Sequence, residues 1–157
     1  MNLVNRQLAW YGGNIFEQDH KLLQFIEQHN LKGIKYLGDC EHVSAICKNA
    51  ATDYQLVVYI VNSLFKFSDI IQTCNNELKK LKGNGFLYLS INKFLADHEK
   101  HYQVVDDYDH AIYDLITGHV RYKLISYYSG RVDGGIKFNW AHPITRFYFS
   151  NENITPN

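Results

Sequence analysis

The sequence predicts an α+β protein, and three observations carry that expectation. Short runs of β-branched and aromatic residues alternate with segments whose apolar residues recur at helical spacing. Clusters of Gly and Asn punctuate the joins between them. The most apolar run, residues 54–62 (YQLVVYIVN), is too nearly continuous for a strand wetted on one face and reads as a central one.

Residues 3–11 (LVNRQLAWY) read as a first strand that stops at Gly12-Gly13. Asn14 then caps a helix, with Glu17 closing an N-x-x-E box. Leu22, Leu23 and Ile26 share one face of that helix, and Asn30 and Gly33 end it. Residues 34–46 (IKYLGDCEHVSAI) read as strand, with Gly38-Asp39 marking a bend, bulge or break. The central run at 54–62 follows a polar turn. Ser63 or Ser68 caps the next helix, on which Ile70, Ile71, Cys74, Leu78 and Leu81 share a face. Lys79, Lys80 and Lys82 complement its C-terminal dipole, and Gly83 terminates it. Residues 85–92 (GFLYLSIN) form another buried strand.

This βαββαβ order is that of the ferredoxin-like split βαβ fold, an antiparallel sheet with two helices on one face. A C-terminal helix and β-hairpin extend it. Asp107 caps the helix, Tyr108, Ile112, Leu115 and Ile116 align on it, and Gly118 stops it. Residues 121–130 and 142–149 read as the hairpin strands around the Gly-rich VDGG. The expected organisation is a single domain over 1–157: a core at 1–92, an extension at 93–150, and a frayed tail at 151–157.

Lys and Arg number 16 and so do Asp and Glu, giving zero net charge. That argues against a nucleic-acid binder, which carries a basic excess. No apolar run approaches the length of a membrane span, and the first residues lack the basic-then-apolar pattern of a signal peptide. Three cysteines, Cys40, Cys47 and Cys74, with no CxxC fit a reducing cytoplasm.

Four places offer chemistry. Tyr11-Gly12-Gly13-Asn14 stands between a strand and a helix N-terminus, where backbone N–H groups can meet a carboxylate or phosphate; it matches neither GxGxxG nor GxxxxGK[ST], and a tight turn with an Asn cap is the simpler reading. In Asp39-Cys40-Glu41-His42, strand alternation separates Cys40 and His42 from the acids. Cys40 and Cys47 read as small buried residues, while Glu41 beside a strand bend can counter a cationic ligand. His98 and His101, followed by Asp106, Asp107, Asp109 and His110, form the densest ligand-type cluster, yet match neither HExxH nor a Cys-pair zinc pattern. A solvated role explains them, and no metal or cofactor is expected. The aromatics Tyr122, Tyr127, Tyr128, Phe138, Trp140, Phe147, Tyr148 and Phe149, interleaved with Arg121, Arg131 and Arg146, read as core plus a subunit interface.

The elements AWYGGN, DHKLLQFIEQH, IKYLGDCEHVSAICKNAATD, YQLVVYIVN and GFLYLSIN, in that order, resemble the phage-encoded S-adenosylmethionine-cleaving lyases. The resemblance covers about 60% of the chain, rests on element order, and leaves residues 93–157 unmatched. It implies a homo-oligomer, a trimer, that binds S-adenosylmethionine between subunits in the host cytoplasm. The methionine carboxylate would attack its own γ-carbon, releasing methylthioadenosine and homoserine lactone and depriving restriction-modification of its methyl donor. It points to Tyr36, Glu41 and Asp53 as catalytic and to Tyr11, Gly12, Gly13, Asn14 and His42 as ligand-binding, although their spacing departs from the family's. The competing expectations are a non-catalytic module that binds and inhibits a host protein, and a small-ligand sensor.

Overall fold

The computed structural model describes residues 20–31, 33–38, 54–97, 108–129 and 144–154. In chain order these form α1 (His20–Gln28), β1 (Ile34–Gly38), β2 (Leu56–Val61), α2 (Phe67–Lys80) and β3 (Phe86–Asn92). A short 3-10 turn (Lys93–Leu95), α3 (Tyr108–His119), β4 (Tyr122–Ser129) and β5 (Ile144–Asn153) follow. The α+β class is therefore met, with one mixed sheet in the order β1-β2-β3-β5-β4.

The ferredoxin-like order is not what these strands form. β1 pairs parallel with β2, and β2 pairs parallel with β3. A ferredoxin-like sheet would join the first pair as an antiparallel hairpin and would hold another strand between the second. Here β2 and β3 are directly hydrogen-bonded, so that intervening place does not exist. Nor are the helices confined to one face. Along β2, Leu56 and Val58 join Leu22 and Ile26 of α1 and Leu31 in one buried cluster. Val57 and Val61 join Ile70, Cys74 and Leu78 of α2 and Ile112 and Ile116 of α3 in another. Successive strand side chains point to opposite faces, so the sheet is covered on both sides. This is why the 54–62 run is nearly continuously apolar: a parallel strand with helices above and below has no wet face.

The last strands are no appendage to a finished core. β5 lies between β3 and β4, antiparallel to both, with Leu87 opposite Phe149 and Leu89 opposite Phe147. That position buries Phe147, Tyr148 and Phe149, and Tyr127 of β4 packs with Phe147 at 4.8 Å between ring centroids. These four aromatics are core, which meets the core half of the core-plus-interface expectation. Residues 151–153, expected to fray, extend β5 instead.

Helix ends show which local signals prevailed. Asn30 takes a left-handed φ of 51°, as its role of helix stop requires. α2 starts after Lys66, with no side-chain cap, rather than at Ser63 or Ser68. Its start is set by tertiary contact: Phe65 bridges to Ala96, and the Phe65 and Phe67 rings meet edge to face at 5.1 Å. The helix stops at Lys80, so Lys82 and Gly83 lie beyond it, and Gly83 supplies a positive φ in the turn to β3. α3 continues through Gly118 to His119. β1 ends at Gly38, where φ is 138° and an added Cβ would overlap the Ile60 carbonyl oxygen. The Gly38 half of the expected bend is thus a close backbone approach that only glycine permits.

At the amino end of the sheet, side chains fasten one element to the next. Asn151 Nδ2 donates to the Gly83 carbonyl at 2.7 Å and the Leu81 carbonyl at 3.3 Å. Its Oδ1 accepts from the Gly85 N–H at 3.2 Å, so one side chain holds the whole α2–β3 turn. Asn75 does the same for α3 and β4, donating to the His119 carbonyl at 3.1 Å and accepting from the Arg121 N–H at 2.8 Å.

Candidate functional site: the carboxyl edge on the α1 face

Four strands, β1 to β4, run in one direction and β5 runs against them. Their carboxyl ends therefore share an edge, where open α/β sheets place their ligands. The ladder registers let that face be read as rows across the sheet. Nearest the amino end stand Ile34, Leu56 and Phe86. The next row is Tyr36, Val58, Tyr88, Tyr148 and Ser126. The row after that is Gly38, Ile60, Ser90, Arg146 and Tyr128. The face thus grades from aliphatic to polar toward the carboxyl edge.

α1 covers the amino part of this face. Phe25 meets Phe86 edge to face at 5.0 Å and Tyr148 at 5.1 Å, and the His29 ring lies 4.8 Å from that of Phe86. Tyr148 in turn packs against Tyr88 at 4.9 Å and Tyr128 at 5.9 Å. An aromatic platform therefore underlies the row that carries Arg146.

Arg146 is 2% exposed and Lys93, just past the end of β3, is 0% exposed. Burying a permanent cation is expensive unless the surroundings compensate it. A guanidinium offers five donors in a planar fork that fits a carboxylate or phosphate, and it stays charged at any relevant pH. In its row Arg146 stands between Ser90 and Tyr128, both hydroxyl-bearing. An arginine so placed can select and orient an anion.

Of the residues singled out from the sequence, Tyr36 lies on this face, in the row next to that of Arg146, and is 9% exposed. Tyr11, Gly12, Gly13, Asn14, Glu41, His42 and Asp53 lie outside the described residues, as do Cys40, Cys47, His98, His101, Asp106, Asp107, Phe138 and Trp140. His110 is exposed on α3, and no group of three or more His, Cys, Asp or Glu fit for a metal occurs among the described residues. Arg146 and Lys93 escaped notice as site residues. The sequence pattern groups Arg146 with the aromatics around it and leaves Lys93 as the first residue of the 93–150 extension, with no role of its own. The available signal was a lone cation inside each of two strongly apolar runs, TRFYF and SINKFL.

The opposite face holds a second polar group of different character. Lys35 Nζ on β1 reaches the Glu77 carboxylate of α2 at 3.0 and 3.3 Å and the Tyr54 hydroxyl at 3.5 Å. Lys80 adds a longer pairing to Glu77 at 3.4 Å. Burial opposes the Lys35 charge, but the hydrogen bond and charge of Glu77, with Tyr54 adding, outweigh it and raise the ammonium above its ordinary 10.5. This group ties strand to helix. Burial, and after it the Glu77 charge, push the neighbouring Cys74 thiol far up, so it is not a nucleophile.

No family model matches the chain, and no curated protein matches it. No helix among the described residues is long and apolar enough to cross a membrane.

Proposed function

We propose that the chain binds a small anion-bearing molecule at the carboxyl edge of its sheet, with Arg146 as the charge partner of the anion. The observation that carries this reading is the almost complete burial of Arg146 at that edge, between Ser90 and Tyr128, the two hydroxyl-bearing residues of its row. Zero net charge fits a small ligand better than a polyanion.

S-adenosylmethionine is the first ligand to test, on the strength of the resemblance in the sequence. Its carboxylate suits Arg146, and Tyr36, Tyr88 and Tyr148 offer an aromatic face to its sulfonium. In the lyase reading, the carboxylate oxygen bonds to the γ-carbon as the γ-carbon–sulfur bond breaks. Both electrons of that bond stay on sulfur, giving neutral methylthioadenosine and homoserine lactone. Glu41, Asp53, His42 and the Tyr11–Asn14 loop would complete the site, in a cytoplasmic trimer of this chain. A second reading, binding without turnover, is favoured by Arg146 itself. An arginine forked onto the carboxylate occupies the lone pairs that must attack.

Calorimetry with S-adenosylmethionine, followed by product analysis, decides between them. Binding that disappears in Arg146→Met, with the unfolding transition retained, supports the site. Methylthioadenosine formation supports the lyase, and an unaltered ligand supports the sensor. If Arg146→Met binds as the wild type does, the site is misplaced.

A further inference from the structure

The sequence contains one Asn-Gly pair, Asn84-Gly85, and it falls in the turn between α2 and β3. Asparagine is a thermolabile residue, most of all before glycine. The next backbone nitrogen can attack the side-chain carbonyl, and glycine, with no Cβ, leaves that nitrogen uncrowded. Asn84 is exposed, whereas Gly85 is buried. The fold also demands the glycine, because a Cβ at residue 85 would come within 2.8 Å of Leu81 Cβ. Packing thus imposes the labile pair on the chain.

One residue of β5 holds both sides of it. Asn151 Oδ1 accepts from the Gly85 N–H at 3.2 Å, and the Asn151 N–H donates to the Gly85 carbonyl at 3.0 Å. Asn151 Nδ2 donates to the Gly83 carbonyl at 2.7 Å. The backbone before and after Asn84 is therefore fastened to the same partner. For the Gly85 nitrogen to reach the Asn84 side chain, the turn must open locally and the bond to Asn151 Oδ1 must break.

We propose that Asn84 is a site of spontaneous deamidation whose rate Asn151 sets, by keeping the Gly85 nitrogen hydrogen-bonded until the turn opens. In the reaction the Gly85 nitrogen bonds to Asn84 Cγ as the Cγ–Nδ2 bond breaks. The electron pair of that bond leaves with Nδ2, which takes the proton of the Gly85 nitrogen and departs as ammonia. The succinimide left behind is opened by water at either carbonyl, giving aspartate or isoaspartate. Isoaspartate adds a methylene to the main chain between Gly83 and Gly85, so the Asn151 side chain no longer spans both. Modification unlocks the turn that Asn151 otherwise holds.

The test incubates the full chain at mildly alkaline pH, folded and in guanidinium chloride, and follows residue 84 by peptide mapping with mass spectrometry. Folded wild type is expected to convert more slowly than the unfolded chain, and Asn151→Ala to convert about tenfold faster than folded wild type, the weight of one hydrogen bond. Asn151→Asp keeps an acceptor oxygen for the Gly85 N–H and should stay near the wild-type rate. Asn75→Ala removes the corresponding clamp between α3 and β4 and should leave the rate unchanged. The isolated isoaspartate form should unfold at lower denaturant than wild type, with no further loss when it forms in Asn151→Ala. No conversion at Asn84 in Asn151→Ala, or equal conversion in the folded and unfolded wild type, overturns the proposal. So does equal acceleration by Asn151→Ala and Asn75→Ala, which would tie the rate to general stability, or by Asn151→Ala and Asn151→Asp, which would exclude the Gly85 bond.

Discussion

The two ends of the sheet are built on different principles. At the amino end, polar side chains are spent on backbone: Asn151 and Asn75 satisfy turn and strand-start groups that would otherwise lack partners. At the carboxyl end, the polar side chains described in the Arg146 row are one cation and two hydroxyls, carried on strands whose backbone is already paired. A side chain tied to a turn contributes to stability and is unavailable for chemistry. A buried arginine on a paired strand is weak evidence for stability and better evidence for a site.

Substitutions at the two ends should therefore separate stability from binding. The largest effect is expected where the division is weakest, at Gly38. Gly38→Ala forces a Cβ into the Ile60 carbonyl at an unfavourable φ. It should lower stability by about 3 kcal/mol and, because Gly38 shares the Arg146 row, weaken ligand as well. Urea unfolding measured beside ligand titration checks both; stability lost without binding lost would move the site away from β1.

Next comes Asn151→Ala. Three side-chain hydrogen bonds disappear, one of them from the N–H of buried Gly85, and a loss of about 2 kcal/mol is expected. Binding per folded molecule should not change. A shift in affinity would show that the two ends are coupled.

Glu77→Gln should have a smaller effect, about 1 kcal/mol, and its pH dependence identifies it. The Lys35 ammonium is raised above 10.5 in the folded chain, so its contribution is fully present below that value and lost as pH rises through the folded one. Between neutrality and about pH 10 the wild type should keep this advantage, and above it the difference from Glu77→Gln should shrink. A constant difference up to strong alkali would mean that Glu77 acts by packing alone. The smallest effect is expected for the exposed Leu64→Ser, within about 0.5 kcal/mol in stability by urea unfolding.

The amino end was the more legible in outline and the carboxyl end the less legible in chemistry. Asn30, the α2 face of Ile70, Cys74 and Leu78, and the central place of residues 54–62 follow from local pattern, because periodicity and capping are local physics. The partner of a strand is not. Whether residues 34–38 pair with 56–61 in parallel or as a hairpin depends on the connection between them, and hydrophobic pattern alone serves both. The same gap left Phe147, Tyr148 and Phe149 divided between core and interface. Aromatic residues near a chain end resemble an interface until β5 is known to lie inside the sheet. Tyr36 follows only from the resemblance, and Arg146 from neither route, since one arginine among aromatic residues forms no motif.

The insertion of β5 between β3 and β4 also bears on how the chain comes to exist. During synthesis β1, β2 and β3 emerge together, and their parallel pairings can begin early. The open side of β3 must then wait for β5, which is made after α3 and β4. For that interval Leu87, Leu89 and Ile91 border an unpaired strand edge, the kind of surface on which nascent chains associate with one another. Refolding should accordingly be slow for this length, dominated by one long-range pairing. A chain ending before residue 144 should be recovered as aggregate rather than as a smaller folded domain.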